Sequence, residues 1–201
     1  MESRLGILSS DSHLYKIQHT KGLELLSLME DDFLGNKSPK RIITPEGRPE
    51  YADSEIDFNI SHTENLIICT MAEGRTGCDI ENSHRKVSAA VADKFFHPEE
   101  LAFMASSPSE EEKRKRFLML WVLKEAYIKL MGTSVAYLKE TPSFLIDENT
   151  IKTCRDNPLY YALFEGSGYV MAAAFDSRYS RDSLKIKKYS TAPDFRLTAL
   201  N

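Results

Sequence analysis

The sequence predicts a fold of mixed helices and strands, with strands joined by short turns in both halves of the chain. Apolar and polar side chains alternate over 56–60, and 66–72 is a continuous apolar run, so both stretches are predicted strands. A long helix is predicted over 117–132, where good helix formers continue without Pro or Gly until Gly132. Shorter strand signals follow at 143–146, 151–153, 159–164 and 169–175.

The remaining elements are short. Residues 5–8 predict an edge strand, and residues 22–33 predict a weakly amphipathic helix. Turn residues dominate 36–55. Further along the chain, the sequence predicts a helix over 87–96, a second helix that begins at Pro98, an N-cap at Ser109 for the long helix, and a last strand at 184–189.

Composition limits the class of protein. The chain has 201 residues, of which 42% are hydrophobic and 28% charged, which is ordinary for one large globular domain or two small ones. A net charge of −4 gives no general case for nucleic-acid binding. We expect no membrane span and no signal peptide. The odd count of three cysteines disfavours a disulfide framework or a zinc site, and predicts buried thiols in a reducing cytoplasm.

One face of the long helix carries unusual chemistry. Phe117, Trp121, Glu125 and Lys129 are four residues apart and therefore share one stripe of the helix. A carboxylate and an ammonium in that arrangement can hold an anionic substrate and a metal together. The alternative is a surface salt bridge between Glu125 and Lys129, worth about 0.3–0.5 kcal/mol.

A second acidic signal lies in the predicted strand 76–81. Asp79 and Glu81 are two residues apart, so both carboxylates point to the same side, while Cys78 points into a core. Two like charges this close repel unless a cation lies between them, and oxygen ligands favour Mg²⁺. Gly77 leaves room for a close approach to the backbone. The alternative is an edge strand whose charges face water.

Two basic features allow two interpretations each. Arg48 lies between Gly47 and Pro49 on a rigid loop, where its planar fork is suited to phosphate; the alternative is a solvated arginine. The run 113–116 places four positive charges on the first turns of the long helix. It is either a solvated face or a docking patch for an acidic partner.

Three local signals occur in one order and together resemble a known family. They are Phe58-Asn59-Ile60-Ser61-His62, then Gly77-Cys78-Asp79-Ile80-Glu81, then Phe117-x-x-x-Trp121-x-x-Lys124-Glu125-Ala126-x-x-Lys129-x-x-Gly132. Between about Gly47 and Gly132 the chain closely resembles the 4′-phosphopantetheinyl transferases of the larger, Sfp-like type. Departures from that pattern are Cys78, at a position that is usually aliphatic, and a short first lobe.

The resemblance implies an α+β fold of two pseudo-symmetric lobes, each with a helix packed on an antiparallel sheet. We expect a single monomeric domain over 1–201, with one lobe at about 1–75, a second at about 76–190 and a loose tail over 191–201. The implied reaction is Mg²⁺-dependent transfer of phosphopantetheine from coenzyme A to a serine of an acyl or peptidyl carrier protein, in fatty-acid, polyketide or non-ribosomal peptide synthesis. An inactive carrier-binding module and a Mg²⁺-dependent phosphohydrolase are the alternatives.

The resemblance also implies residue roles. Asp79, Glu81 and Glu125 would hold Mg²⁺, and Glu125, Lys129 and Asp79 would be catalytic, with Glu125 as a base for the serine hydroxyl. Coenzyme A would be bound by Arg48, Ser61, His62, Lys124 and Lys129. Trp121 would pack the site. For the nucleotide end of coenzyme A, the sequence offers only Lys37, Lys40 and Arg41.

Overall fold

The computed structural model describes residues 3–9, 15–35, 39–147, 149–154, 158–176, 178–179, 181–189 and 196–200. Within these ranges the helices are α1 (Tyr15–Leu34), α2 (Ala89–Phe95), α3 (Pro98–Ala105) and α4 (Glu110–Met131). The strands are β1 (Ser3–Ser9), β2 (Arg41–Ile43), β3 (Pro49–Tyr51), β4 (Ile56–Thr63), β5 (Leu66–Glu73), β6 (Thr76–Asn82), β7 (Phe144–Asp147), β8 (Thr150–Thr153), β9 (Leu159–Gly166), β10 (Tyr169–Asp176), β11 (Leu184–Lys188) and β12 (Arg196–Leu200). Short 3₁₀ segments span Val135–Glu140 and Arg181–Ser183.

The first sheet has the strand order β11-β1-β5-β4. Helix α1 covers one of its faces, where Leu25, Leu26 and Met29 pack against Phe58 and Met71. The prediction of an edge strand at 5–8 is wrong, because β1 pairs with β5 on one side and with β11, in parallel, on the other. Its second partner lies about 180 residues away in the sequence, so no local pattern signals the pairing.

The second sheet has the order β6-β10-β9-β12-β8-β7, and α4 packs on it. Strand β12 pairs with β9 over Arg196–Leu200, so the prediction of a loose tail is wrong for these residues. The physical reason is that the outer edge of β9 presents backbone groups that need partners, and β12 supplies them. The rest of the predicted tail lies outside the described residues.

The two helix-on-sheet layers confirm the predicted α+β class: α1 lies on the first sheet and α4 on the second. One strand of the predicted second lobe belongs to the first sheet. Strand β11 falls within the predicted second lobe, yet it completes the first sheet beside β1. No helix among the described residues is both long enough and apolar enough to cross a bilayer.

Side chains of β4 join the two sheets along the free edge of β6. Alternate residues of β4 face that edge. Asp57 Oδ2 accepts from the backbone N–H of Thr76 at 2.9 Å, and Asn59 Oδ1 accepts from the backbone N–H of Cys78 at 2.9 Å. Ser61 Oγ, two residues further, donates to the side chain of Asp79 at 2.9 Å. The strand that carries the acidic motif is therefore held between the two layers.

Helix α4 has both predicted caps and extends the predicted helical stretch 117–132 back to Glu110, directly after the Ser109 cap. Ser109 Oγ accepts from the backbone N–H of Glu112 at 3.1 Å, and Gly132 ends the helix with a φ of 70°. A Cβ atom on Gly77 would lie 2.2 Å from the carbonyl oxygen of Ala126. The close approach that Gly77 permits is therefore that of α4 itself, which brings the helix directly onto β6.

The cysteines follow the predicted pattern in part. Cys69 and Cys78 are buried, as predicted, but Cys154 is exposed. Cys154 follows directly after β8, which lies near the outer end of the second sheet. This position just beyond a short strand near the outer end of the sheet, which the sequence pattern does not reveal, explains why Cys154 is exposed.

Candidate active site

The centre of the site is a cluster of three side chains from β4, β6 and α4. Asp79 Oδ1 accepts from Lys129 Nζ at 2.6 Å and from Ser61 Oγ at 2.9 Å. Lys129 Nζ also donates to Ser61 Oγ at 3.0 Å. Residues from three of the predicted motif regions thus meet at the junction of the two sheets.

One of the two carboxylate oxygens of Asp79 is not used in the cluster. Its side chain is buried, and its Oδ2 atom has no hydrogen-bond partner among the described residues. A buried carboxylate oxygen without a partner is costly, so it favours a cation or a donor from a ligand at that position. This orphaned oxygen is the structural observation that fits a hard divalent cation at the cluster.

Glu125 lies one helical turn before Lys129 and is also buried. Burial is the main cause that raises the pKa of Glu125 to about 7, and the negative charge of Asp79 raises it further. The charges of Lys129 and Arg85 act in the opposite direction. A carboxyl group with a pKa near neutrality can exchange a proton readily, which suits general-base chemistry.

Two basic side chains at the site, Lys129 and His62, are held in opposite protonation states. Burial alone would lower the pKa of Lys129, but the charge of Asp79 beside it raises the pKa above its usual value, so the ammonium stays charged. Half-buried His62 has a lowered pKa, mainly because of burial and then because of the positive charge of Lys129. His62 therefore contributes a neutral imidazole next to Ser61.

Glu81 is engaged by a residue that the sequence did not single out. Its carboxylate forms an ion pair with Arg85, whose guanidinium also lies over the Trp121 ring, 5.6 Å from the ring centroid. Within the described part of the chain, no three side chains of His, Cys, Asp or Glu are grouped so that they could hold a metal. The structure thus does not assemble the predicted set of Asp79, Glu81 and Glu125.

Trp121 packs as predicted. Its ring stacks on Phe117 with centroids 5.9 Å apart, and Phe117 in turn contacts Phe96 at 5.1 Å. This aromatic row holds the indole in place beside the acidic side chains.

Arg48, for which a role in binding coenzyme A is predicted, has protein partners outside this cluster. Its guanidinium forms two hydrogen bonds to Asp57, at 2.9 and 2.6 Å, and donates to the backbone carbonyls of Lys129 and Thr76, each at 3.1 Å. The buried fork is therefore used to tie the loop before β3 to β4, β6 and the end of α4.

Lys124, which is also predicted to bind coenzyme A, has buried partners in the structure. Its ammonium is fully buried, 3.0 Å from Glu100 Oε2, and donates to Thr141 Oγ1 at 2.8 Å. Glu100 in turn accepts from the backbone N–H groups of His97 and Phe144. An enclosed ammonium cannot contact a phosphate. Five residues on a helix of 3.6 residues per turn separate Lys124 from Lys129 by roughly 140°, so the spacing already argued against a shared site.

Several of the other basic residues have partners nearby in the structure. In the run 113–116, Lys115 pairs with Glu165 at 2.9 Å and Arg116 pairs with Glu112 at 3.2 Å, which favours the solvated-face interpretation over a docking patch. Arg41 binds Glu30, Lys40 is exposed, and Lys37 lies outside the described residues.

Comparison with known proteins decides the family. A family model described as the 4′-phosphopantetheinyl transferase superfamily matches residues 75–174. This chain belongs to the 4′-phosphopantetheinyl transferase superfamily. The matched residues run from the start of β6 almost to the end of β10, and they include the acidic strand and all of α4.

Individual relatives are named for the same activity. The chain is similar to 4′-phosphopantetheinyl transferase gsp of Aneurinibacillus migulanus, with 34% identity over 107 residues, 53% of this chain and 43% of that protein. It is 37% identical to 4′-phosphopantetheinyl transferase HetI of a Nostoc species over 45% of this chain and 38% of that protein. It is 30% identical to Sfp of Bacillus subtilis over 55% of this chain and 49% of that protein. The matched stretch covers less than half the length of each of these relatives.

Proposed function

We propose that this protein transfers the 4′-phosphopantetheine group of coenzyme A to a serine hydroxyl of an apo acyl or peptidyl carrier protein, and that adenosine 3′,5′-bisphosphate leaves. The reaction would depend on Mg²⁺ and take place in the cytoplasm, with the protein acting as a monomer. The observation that carries the proposal is the hydrogen-bonded cluster of buried Asp79 and Ser61 with the partly exposed Lys129, and Glu125 one turn away on α4.

The residues of this cluster supply a base and a phosphate-binding cation. Glu125, with its pKa of about 7, would take the proton of the carrier serine, whose oxygen forms a bond to the phosphorus of the phosphopantetheine. The bond from that phosphorus to the oxygen of the adenosine bisphosphate breaks, and the charged Lys129 ammonium stabilises the departing phosphate. General-base help of this kind is typically worth about 10²–10⁴ in rate.

The cosubstrate would approach the cluster from the side of β4. Ser61 already bonds to both Asp79 and Lys129, and the adjacent His62 is neutral, so its ring can donate one hydrogen bond to a phosphate oxygen. Together these residues would position the phosphates of coenzyme A over the charged lysine.

The residues also fit a magnesium ion. The orphaned Oδ2 of Asp79 and the Glu125 carboxylate would hold it, and Glu81 would join them when it is not paired with Arg85. When bound, the ion would supply charge neutralisation for the diphosphate. It would also remove the mutual repulsion of the two buried carboxylates.

The test is the intact mass of an apo carrier protein after incubation with this protein, coenzyme A and Mg²⁺. We expect a gain of one phosphopantetheine group, which a chelator abolishes. Glu125→Gln should give no gain, whereas Glu111→Gln, at an exposed position on the first turn of the same helix, should behave as the unmodified protein does. Cleavage of coenzyme A without acceptor would indicate a phosphohydrolase instead. Coenzyme A binding without any mass gain, across several carrier types, would indicate an inactive binding module.

A further inference from the structure

Arg85 lies in the turn that follows β6, three residues beyond the last residue of the strand, Asn82. Its side chain is 45% exposed, whereas that of its partner Glu81 is only 14% exposed. The guanidinium therefore reaches from solvent onto a largely enclosed carboxylate. It is also close enough to Glu125 for its charge to favour the ionised form of that side chain.

A second contact defines where the guanidinium rests. It lies over the Trp121 ring, 5.6 Å from the centroid, and Trp121 is held by stacking on Phe117. The planar guanidinium suits both an aromatic face and a carboxylate. Arg85 thus has two partners, Glu81 on β6 and Trp121 on α4.

The same carboxylate cannot serve Arg85 and a metal at once without a change of position. In the structure Glu81 is paired with Arg85, while the nearby Asp79 keeps one oxygen without a partner. A divalent cation bound at Asp79 would compete with Arg85 for Glu81, because both are positive charges that need the same oxygens.

We propose that Arg85 is a latch on Glu81: a divalent cation displaces it from Glu81 and Trp121, and the freed guanidinium then binds a phosphate oxygen of the cosubstrate. This inference rests on the proposed function for the identity of the cosubstrate. A guanidinium is suited to both roles, since its fork fits carboxylate and phosphate oxygens equally well.

The latch is weak enough to open. An ion pair with one exposed partner and a cation–π contact at an exposed site are both weak, so together they change a competing equilibrium by about tenfold. A divalent cation with two buried carboxylates available can overcome that difference, and a phosphate oxygen can then replace the carboxylate as the partner of Arg85.

The test measures binding, not turnover, on the full chain without any carrier. Trp121 is the only tryptophan in the sequence, so its emission reports the Arg85 contact directly. Arg85→Ala and Arg85→Lys are compared with Arg178→Ala, because Arg178 is a similarly exposed arginine (41%) whose ion pair to Asp176 is equally local. Mg²⁺ alone is titrated first by calorimetry and by Trp121 emission, and coenzyme A is titrated afterwards at saturating Mg²⁺.

We expect Arg85→Ala to bind Mg²⁺ about tenfold more tightly, because an internal competitor is gone, and to bind coenzyme A about tenfold less tightly, because a phosphate contact is gone. Mg²⁺ should change the Trp121 emission of the unmodified protein but not that of Arg85→Ala. Arg85→Lys, which keeps the charge but loses the planar stack, should lie between, and Arg178→Ala should match the unmodified protein.

Equal or weaker Mg²⁺ affinity in Arg85→Ala would overturn the latch, as would a Trp121 response to Mg²⁺ that persists without the arginine. Unchanged coenzyme A affinity would overturn the phosphate contact. These results are independent of the carrier assay: a protein that modifies no carrier can still show the exchange at Glu81, and an active transferase can lack it.

Discussion

The side-chain oxygen of Asn59 accepts a hydrogen bond from the backbone N–H of Cys78 at 2.9 Å, across the seam between the two sheets. Within the part of the chain that the structure describes, no further strand lies beside β6 on this edge of its sheet. A side chain from β4 therefore supplies the partner that a neighbouring strand would otherwise provide. The backbone on either side of this bond carries Ser61 and Asp79, so the bond also sets the distance between two residues of the candidate site.

Asn59→Ala should destabilise the protein by about 1–3 kcal/mol, because the buried N–H of Cys78 loses its partner. Urea denaturation measures this loss. Asn82→Ala is the matched control, since Asn82 makes the same kind of side-chain bond to the backbone N–H of His84 at an exposed turn, where water can replace it. Equal losses in the two variants would show that the seam contributes nothing beyond an ordinary turn.

Arg48→Lys should lower stability more than it changes coenzyme A binding. Lysine cannot reproduce the two parallel bonds to Asp57 or the additional bonds to the carbonyls of Lys129 and Thr76. Removing one partner of a buried pair typically costs about 3–5 kcal/mol, and the conservative change should cost part of that.

The two readouts separate the alternatives for Arg48. We expect a lower midpoint in urea denaturation together with an unchanged dissociation constant for coenzyme A at a temperature where the variant is folded. A large loss of coenzyme A affinity at full stability would restore the role in phosphate binding that the loop sequence suggests.

Lys124→Met should destabilise the protein by about 3–5 kcal/mol, because it leaves the Glu100 charge without its cation in a fully buried position. The double variant Lys124→Met, Glu100→Gln should recover much of this loss, since neither charge then remains. Chemical denaturation of both single variants and the double variant gives the coupling energy of the pair.

A measurement of transferase activity in these variants shows whether Lys124 has only a structural role or also takes part in the reaction. We expect the double variant to keep measurable transferase activity, because the partners of Lys124 are Glu100 and Thr141, neither of which belongs to the candidate site. A folded double variant without any activity would mean that Lys124 takes part in the reaction.

Glu125 should make the stability of the metal-free protein fall with rising pH. Its pKa of about 7 in the folded state lies above its ordinary value of 4.5, so the folded protein holds the proton more tightly than the unfolded chain does. The stabilisation from that proton is complete below about 4.5 and is lost as the pH rises through about 7. A shift of this size corresponds to at most about 3 kcal/mol.

The comparison uses Glu125→Gln, which stays neutral at all pH values and should lack this slope. Free energies of unfolding are measured in the presence of a chelator for the unmodified protein, Glu125→Gln and the exposed-site control Glu111→Gln. Parallel pH profiles for the first two would show that Glu125 is ionised throughout and is not poised as a base. Added Mg²⁺ should flatten the slope of the unmodified protein, since a cation favours the ionised carboxylate.

The sequence by itself determined the elements whose signals are local. Helix α4 was predicted with its Ser109 cap and its end at Gly132, because capping residues and apolar spacing act within a few residues. The sequence motifs also singled out Asp79, Lys129 and Ser61, which the structure places within hydrogen-bond distance of one another.

The tertiary structure alone decided which charged groups are available to a ligand. Arg48 and Lys124 look like phosphate-binding residues in the sequence, yet buried carboxylates, Asp57 and Glu100, hold them in place from elsewhere in the fold. Arg85, which no motif indicated, lies over Trp121 and pairs with Glu81. Charge and spacing along the chain describe what a side chain can bind, but the partner that packs against it determines whether that capacity remains free.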